Sequence, residues 1–354
     1  MTPAEREISF IVQGAIDHTI QAASGKGSTR TCLDSIRQWF PRSEIVLSTW
    51  EGSDVRQLDY DVLVLANDPG ACHIARPGIS EVILNNGNRQ IVSTRSGLKQ
   101  ASGRFAVKLR NDIVLRGNTW LEMWGRFPER AREWRMFRER VITANRYTRN
   151  PRREIGKPFH PSDWLMFGLK EDLLRLWDIG EEPEPESSHW FLTRPLPRPA
   201  RHFQETRRYH PEQYLWKTLM ARFGEIAFEH FADDSRENVR LTELTFANNL
   251  IVLDVEQFPF AIQKSMHGNP PRAWRYSCLS HREWRRLYQR YCLGDRAGAA
   301  LDRLTDTRHI YETCYLRIPP GVRSGAKKIS KAARFLIEAA RPGARRGGEP
   351  LSPV

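Results

Sequence analysis

The stretch ISFIVQG, residues 8–14, decides the class of fold. Its apolar run is too short for a buried helix and suits a buried strand, closed by Gly14. Working outward, Thr31–Phe40 reads as a helix. Thr31 and Asp34 stand at capping-box spacing, Leu33, Ile36 and Phe40 share one face, and Pro41 stops it. Glu44–Ser48 and Asp61–Leu65 read as strands, the second followed by the turn Asp68-Pro69-Gly70. Asn88–Leu98 predicts a helix ending near Gly97, and Phe105–Arg110 a strand running straight into Asn111 and Asp112. The order β-α-β-β-α-β predicts an α/β fold: an open, mostly parallel sheet with helices on both faces. Such sheets bind ligands beyond the carboxyl ends of their strands. That singles out the loops after Gln13, Ser48, Leu65 and Arg110.

Further along, Trp120–Arg140 is rich in arginine and tryptophan and is expected to be helical. Val141–Ala144 and Trp164–Gly168 read as strands, Lys170–Trp177 as a helix. Five prolines between 180 and 201 predict a loop or insertion. Pro211–Phe223 reads as a helix and Leu250–Val255 as a strand. Ser280-His281-Arg282-Glu283 is a capping box opening another helix. Lys327–Arg341 sets Ile329, Leu336 and Ile337 opposite lysine and arginine, a basic amphipathic helix. Residues 342–354 have the composition of a disordered tail.

Composition bounds the function. The chain has 354 residues, 40% of them hydrophobic, with 11 tryptophans and 16 phenylalanines to fill a core. A net charge of +13 points to anionic partners without choosing among nucleic acid, lipid and phosphorylated substrate. Five cysteines with no Cys-x-x-Cys spacing argue against a disulfide framework and a structural zinc, and fit a reducing compartment. Without a signal-like segment or a long apolar stretch, the expected location is cytoplasmic.

Five segments offer chemistry. Gln13 and Gly14 end the first strand, and the glycine permits close backbone approach to a nucleotide. Thr49 and Trp50, in Ser48–Gly52, offer a hydroxyl and a ring to a base or ribose. Asn88 and Arg89 sit in an amide-dense run at 85–90, with Arg89 suited to a phosphate. Lys108, Arg110 and Asp112 lie on a strand that delivers charge to the sheet edge. There a leaving diphosphate needs either a metal held by carboxylates or nearby cations. Last, two hexapeptides resemble each other: Phe159-His160-Pro161-Ser162-Asp163-Trp164 and Tyr209-His210-Pro211-Glu212-Gln213-Tyr214. Each sets an acid among aromatics beside His-Pro. Aromatics stack on sugars, and a half-buried acid serves as a general base. His160, Trp164 and His210 are the candidate acceptor contacts.

Together these segments resemble the WavE-type lipopolysaccharide synthesis family. The resemblance lies in Val12-Gln13-Gly14, EIVLSTWEG (44–52), Asp68-Pro69-Gly70, NRQIVSTRSG (88–97), KLRND (108–112), Thr148-Arg149-Asn150-Pro151, HPSDWLMFG (160–168) and PEQYL (211–215). It implies a glycosyltransferase acting in lipopolysaccharide core or related surface-glycan synthesis, with a GT-A-like fold. Residues 1–260 would be the nucleotide-sugar-binding and catalytic domain, 261–341 a helical extension and 342–354 a tail. In a GT-A-like fold an Asp-x-Asp motif binds a divalent metal, manganese or magnesium, and the nucleotide diphosphate. Here that place reads Arg110-Asn111-Asp112, leaving Asp112 as the expected metal ligand and Arg110 to do part of the cation's work.

The expected partners are a nucleotide-sugar donor and a glycan or lipid-linked glycan acceptor. The expected base is Asp163, desolvated by Trp164 and Phe167, or Glu212. The helix 327–341 would hold the protein on the anionic inner face of the inner membrane. The rival reading is a basic nucleic-acid-binding protein without catalytic activity, favoured by the charge and by 120–153. Against it, no helix-turn-helix, RNP or zinc pattern is present.

Overall fold

A computed structural model describes residues 2–19, 27–74, 83–153, 157–196, 205–263 and 277–306. Two compact units divide the chain, residues 1–300 and 301–354, and of the second only 301–306 are described, the end of a helix. The amphipathic helix expected at Lys327–Arg341 and the tail at 342–354 lie outside the described residues.

The chain runs β1 (Ile8–Gln13), α1 (Ser28–Trp39), β2 (Glu44–Trp50), β3 (Val62–Ala66), β4 (Cys72–Ile74), β5 (Ile83–Asn85), α2 (Gly87–Gln100), β6 (Phe105–Arg110) and β7 (Ile113–Leu115). It continues through β8 (Val141–Ala144), β9 (Leu165–Leu169), α3 (Lys170–Trp177), α4 (Pro211–Met220), α5 (Arg236–Asn249), β10 (Leu250–Leu253), β11 (Phe260–Ile262), α6 (His281–Tyr291) and α7 (Arg296–Thr305). Among the described residues the main sheet has seven strands, in the order β10-β8-β9-β6-β1-β2-β3. All pairings are parallel except those of β9, which is antiparallel to both β6 and β8. The fold is therefore α/β with an open, mixed, mostly parallel sheet. Two-stranded ribbons, β4–β5 and β7–β11, flank it.

Adjacent residues of a strand face opposite sides, and β1 shows what covers each. Phe10 meets Phe40, just after α1, at 4.8 Å between ring centroids. Ile11 faces α2, where a Cβ on Gly97 would come 2.6 Å from its Cγ2 and 3.0 Å from Ser48 Cβ. Helices thus cover both faces, and α2 lies so close that only glycine fits at 97. β1, β2 and β6 are buried from end to end, apart from the end residues Glu44 and Arg110. That explains their continuous apolar runs.

Three local expectations need correction. Helix α1 starts at Ser28, and Thr31 Oγ1 donates back to Gly27 O (3.0 Å) instead of capping. Tertiary contacts set this start: Thr29 N donates to Asp17 O, and Ser28 Oγ to Asp17 Oδ2. The stretch 120–140 holds only a 3-10 turn, Thr119–Met123. Gly125, at φ 74°, and Pro128 break it. Side chains then satisfy its backbone: Asn249 Oδ1 accepts from Met136 N and Phe137 N, and Asp172 from Arg138 N and Glu139 N. Two of its tryptophans serve the core: Trp120 is fully buried and Trp124 packs edge-on to Phe105 and Phe167. Helix α4 ends at Met220, short of Phe223, while α5 was not foreseen.

The reversal of β9 matters most for the site. Because β8 and β9 are antiparallel neighbours, the chain leaves the sheet after Ala144 and re-enters it at Leu165, at the same edge.

Candidate active site

Parallel neighbours β1 and β6 end together, Gln13 beside Arg110. Reversed β9 enters at that same edge, where Arg110 N donates to Trp164 O (3.3 Å). Lys108 and Arg110 alternate to one face of the sheet. Lys108 is fully buried, and its Nζ donates to the Asp163 carbonyl and lies 4.5 Å above the Trp177 ring. Burial lowers its pKa to about 8, with Asp163 the largest opposing influence. Arg110 grips Asp112 with two nitrogens, Nε to Oδ1 (3.0 Å) and Nη2 to Oδ2 (2.7 Å), and crosses the Trp164 ring at 5.3 Å. Burial works against the Arg110 charge, but Asp112 outweighs it and raises its pKa.

The two His-Pro hexapeptides converge on this edge. Pro211 sits in the first turn of α4, a place that needs no backbone N–H, and sets Glu212 beside it. His160 and His210 ring centroids are 5.5 Å apart, and His160 Nε2 is 3.4 Å from Glu212 Oε2. Burial raises the Glu212 carboxyl to about 7, and the nearby Asp163 adds to the shift. Asp163 is 2% exposed, and its Oδ1 is buried with no hydrogen-bond partner among the described residues. Burial, with Arg149 and Lys157, holds His160 well below the usual imidazole range; burial, with Lys157 and Arg207, does the same for His210. Both rings are neutral at pH 7. Lys157 Nζ contacts His210 Nε2, and burial pushes this lysine down to about 7 against the pull of Glu205. Two residues here hold left-handed backbone, Tyr147 (φ 67°) and Phe159 (φ 56°). Such strain persists only where surroundings enforce it and clusters at working sites. The Tyr147 ring lies 4.5 Å from that of Trp164.

Of the residues singled out in the sequence, Lys108, Arg110, Asp112, His160, Asp163, Trp164, His210 and Glu212 come together. The others are engaged elsewhere along the rim. Gln13 Oε1 accepts from Ser93 Oγ (2.8 Å). Gly14 has φ 124°, and a Cβ there would lie 3.3 Å from Asn111 Oδ1, so glycine is required. Thr49 is buried against Ser53, and Trp50 ends β2 with 8% exposure. Asn88 clasps the backbone of Glu182 in both directions, at 2.9 and 2.7 Å. Arg89 is bidentate to Asp68, at 2.7 and 2.6 Å.

Sequence reasoning passed over Asn111, Arg149, Lys157, Glu205 and Arg207. Asn111 Nδ2 donates to Ala15 O and Thr29 Oγ1, tying down the loop after β1. Its signal was the central place in Arg110-Asn111-Asp112. Lys157 stands three residues before His160, near enough to have been noticed. Glu205 and Arg207 pair with each other (3.1 Å) just ahead of the second hexapeptide and carried no pattern of their own.

Metal chemistry meets two obstacles. A divalent ion on Asp112 would have to displace a guanidinium that holds both carboxylate oxygens. His160, His210 and Glu212 offer ligand atoms within 4.8 Å of one another. However, Lys157 is on His210, and Arg149 and Arg207 press on the same rings. Among the described residues no helix is long and apolar enough to cross a membrane.

The family described as WavE lipopolysaccharide synthesis matches residues 8–311. No curated protein matches. Among solved structures, the chain is similar to 4-diphosphocytidyl-2C-methyl-D-erythritol synthase from Anaerococcus prevotii, at 10% identity and TM-score 0.30, covering 68% of this chain and 97% of that one. It is also similar to an active-site mutant of LgtC, at 14% identity and TM-score 0.28, covering 59% and 68%.

Proposed function

We propose a function from one premise: the chain belongs to the WavE lipopolysaccharide synthesis family. It is a glycosyltransferase that moves a sugar from a nucleotide-sugar donor to the glycan of a lipopolysaccharide core or a related surface polysaccharide. One observation carries this reading. Two carboxylates from separate His-Pro hexapeptides, Asp163 and Glu212, meet beside Arg110 at the carboxyl edge of an open α/β sheet.

The reaction is a direct displacement. The acceptor hydroxyl oxygen attacks the anomeric carbon and the bond from that carbon to the diphosphate breaks. The electron pair leaves on the diphosphate, and the hydroxyl proton passes to a carboxylate. Asp163 is the first candidate for that base, with an unpartnered buried oxygen. Glu212 is the second, with a pKa near 7 that suits proton transfer at neutral pH. Arg110 uses Nε and Nη2 on Asp112, which leaves Nη1 for the diphosphate. The Asp-x-Asp metal implied by a GT-A-like fold does not fit these residues, because the place of the first acid is taken by Arg110 and its guanidinium holds both oxygens of the second. No step is routed through a metal. The half-buried Tyr147 offers its ring to the acceptor sugar, and Trp164, buried against Arg110 and Tyr147, backs it.

Asp163→Asn tests this directly: transfer is lost while nucleotide binding stays near normal. Surviving transfer overturns the assignment. Thermal shift against nucleoside diphosphates and nucleotide-sugars, with and without manganese, identifies the donor; stabilisation that does not depend on manganese is expected. Association with an anionic membrane through 327–341 is tested by deleting Lys327 onward, which should abolish co-sedimentation with anionic vesicles.

A further inference from the structure

Away from the transfer cluster, helices α5 and α6 border an open recess of about 830 Å³, lined in part by Arg236, Arg240, Arg290 and Tyr291. A second recess of about 590 Å³ shares Arg240, Arg290 and Tyr291 as walls. Seven arginines against three carboxylates line the two together. Some are neutralised: Arg240 is bidentate to Glu237, and Arg152 and Arg153 reach Glu243 and Glu283. Arg236 and Arg290 are exposed and, among the described residues, form no ion pair. Two guanidinium groups without an ion pair among the described residues therefore border one concave space together with the Tyr291 ring, and the Arg290 guanidinium lies 5.2 Å from that ring.

We propose that this recess binds an acidic saccharide segment, its phosphate or carboxylate groups between the arginine forks and a sugar face on Tyr291. Guanidinium matches planar and tetrahedral oxyanions bidentately, and a ring face takes the apolar side of a pyranose. A flat membrane surface would not fill a concave recess. The chain also connects this recess to the candidate active site. Arg152 and Arg153 of its wall follow Arg149 and Asn150 after a single residue, Pro151. Asn150 Nδ2 and Arg153 Nη2 both bind Glu283 of α6, at 3.1 and 2.6 Å. Identifying the bound saccharide as the acceptor rests on the glycosyltransferase reading; the presence of the binding site does not.

The test measures binding of hexagalacturonic acid to the full chain by calorimetry, beside neutral maltohexaose, inorganic tripolyphosphate and phosphatidylglycerol vesicles. Expected are salt-sensitive binding of hexagalacturonate, none of maltohexaose, and a loss of about tenfold or more in Arg236→Glu/Arg290→Glu. Glutamate suits position 236, in the first turn of α5. Arg236→Gln/Arg290→Gln serves as a milder pair should the reversal unfold the protein. Unchanged affinity in a folded variant, tripolyphosphate binding as tightly as the saccharide, or binding of vesicles alone would each overturn the proposal. Nucleoside diphosphate binding, followed in the same samples, should not change. Its absence from the unmodified protein would count against the glycosyltransferase reading and leave the recess result standing.

Discussion

Two stretches of the same sheet edge treat their polar residues in opposite ways. Around β1, β2 and α2 the candidate binding residues are engaged by the protein itself, Gln13 by Ser93, Asn88 by Glu182 and Arg89 by Asp68, and a neutral amide oxygen, Gln90 Oε1, is buried there without a hydrogen-bond partner among the described residues. Around β6, β9 and α4 the charges are buried deeper yet less completely answered. Asp163 keeps an orphan oxygen, Glu212 is pushed up to about 7, and Lys108 and Lys157 are pushed down. Unanswered buried charge is costly, so it persists where a ligand or a reaction supplies the answer. Residue type alone does not separate a structural clasp from a working group; the completeness of its bonding does.

The sharpest way to break this contrast is Asp163→Asn, for which a fall in transfer of about a thousandfold is expected at unchanged nucleotide affinity. Arg110→Gln comes next. It should cost transfer about a hundredfold and, by leaving Asp112 buried and uncompensated, about 3 kcal/mol of stability. Pairing it with Asp112→Asn should restore most of the stability, read by urea melts, and none of the transfer. A third comparison uses pH. The Glu212 carboxyl is raised in the native state, so its contribution to stability is full below the ordinary value of 4.5 and is lost as pH rises through about 7. Glu212→Gln should therefore gain melting temperature relative to the parent at pH 8 and not at pH 5. If Glu212 is the base, the same change also removes the rise in transfer through pH 7. The smallest effect is expected on the answered side. Arg89→Ala, breaking a half-exposed pair, should cost about 1 kcal/mol or less and leave transfer within about threefold.

Much of the fold was legible because β1, β2 and β6 are buried strands with short uninterrupted apolar runs, and because Pro41 marked the end of α1; Gly97 misled as a stop, since α2 runs on to Gln100 and the glycine serves close packing instead. Helix α5 escaped notice since its last nine residues, Leu241–Asn249, are all buried yet mix threonine, asparagine and glutamate with leucine and phenylalanine. They are buried through hydrogen bonds such as those of Asn248 and Asn249, so no amphipathic stripe shows. The 120–140 stretch misled for the converse reason. Its helix-forming residues are overruled by Pro128 and by side-chain acceptors from distant elements. In the site, the paired hexapeptides were visible as a repeat. That they would meet was not, because it depends on the reversed direction of β9. Glu205 and Arg207 were equally hidden, being defined by burial and not by spacing.

The return path between β8 and β9 has a consequence for how such a protein diversifies. Tyr147, Arg149, Lys157, His160 and Asp163 all belong to one excursion whose two ends are anchored in neighbouring strands, roughly 5 Å apart. Lengthening a loop between fixed ends costs little and grows only slowly with added residues. Selection can therefore exchange or enlarge this single cassette, and with it the side chains gathered at the carboxyl edge, without rewiring any strand of the scaffold beneath.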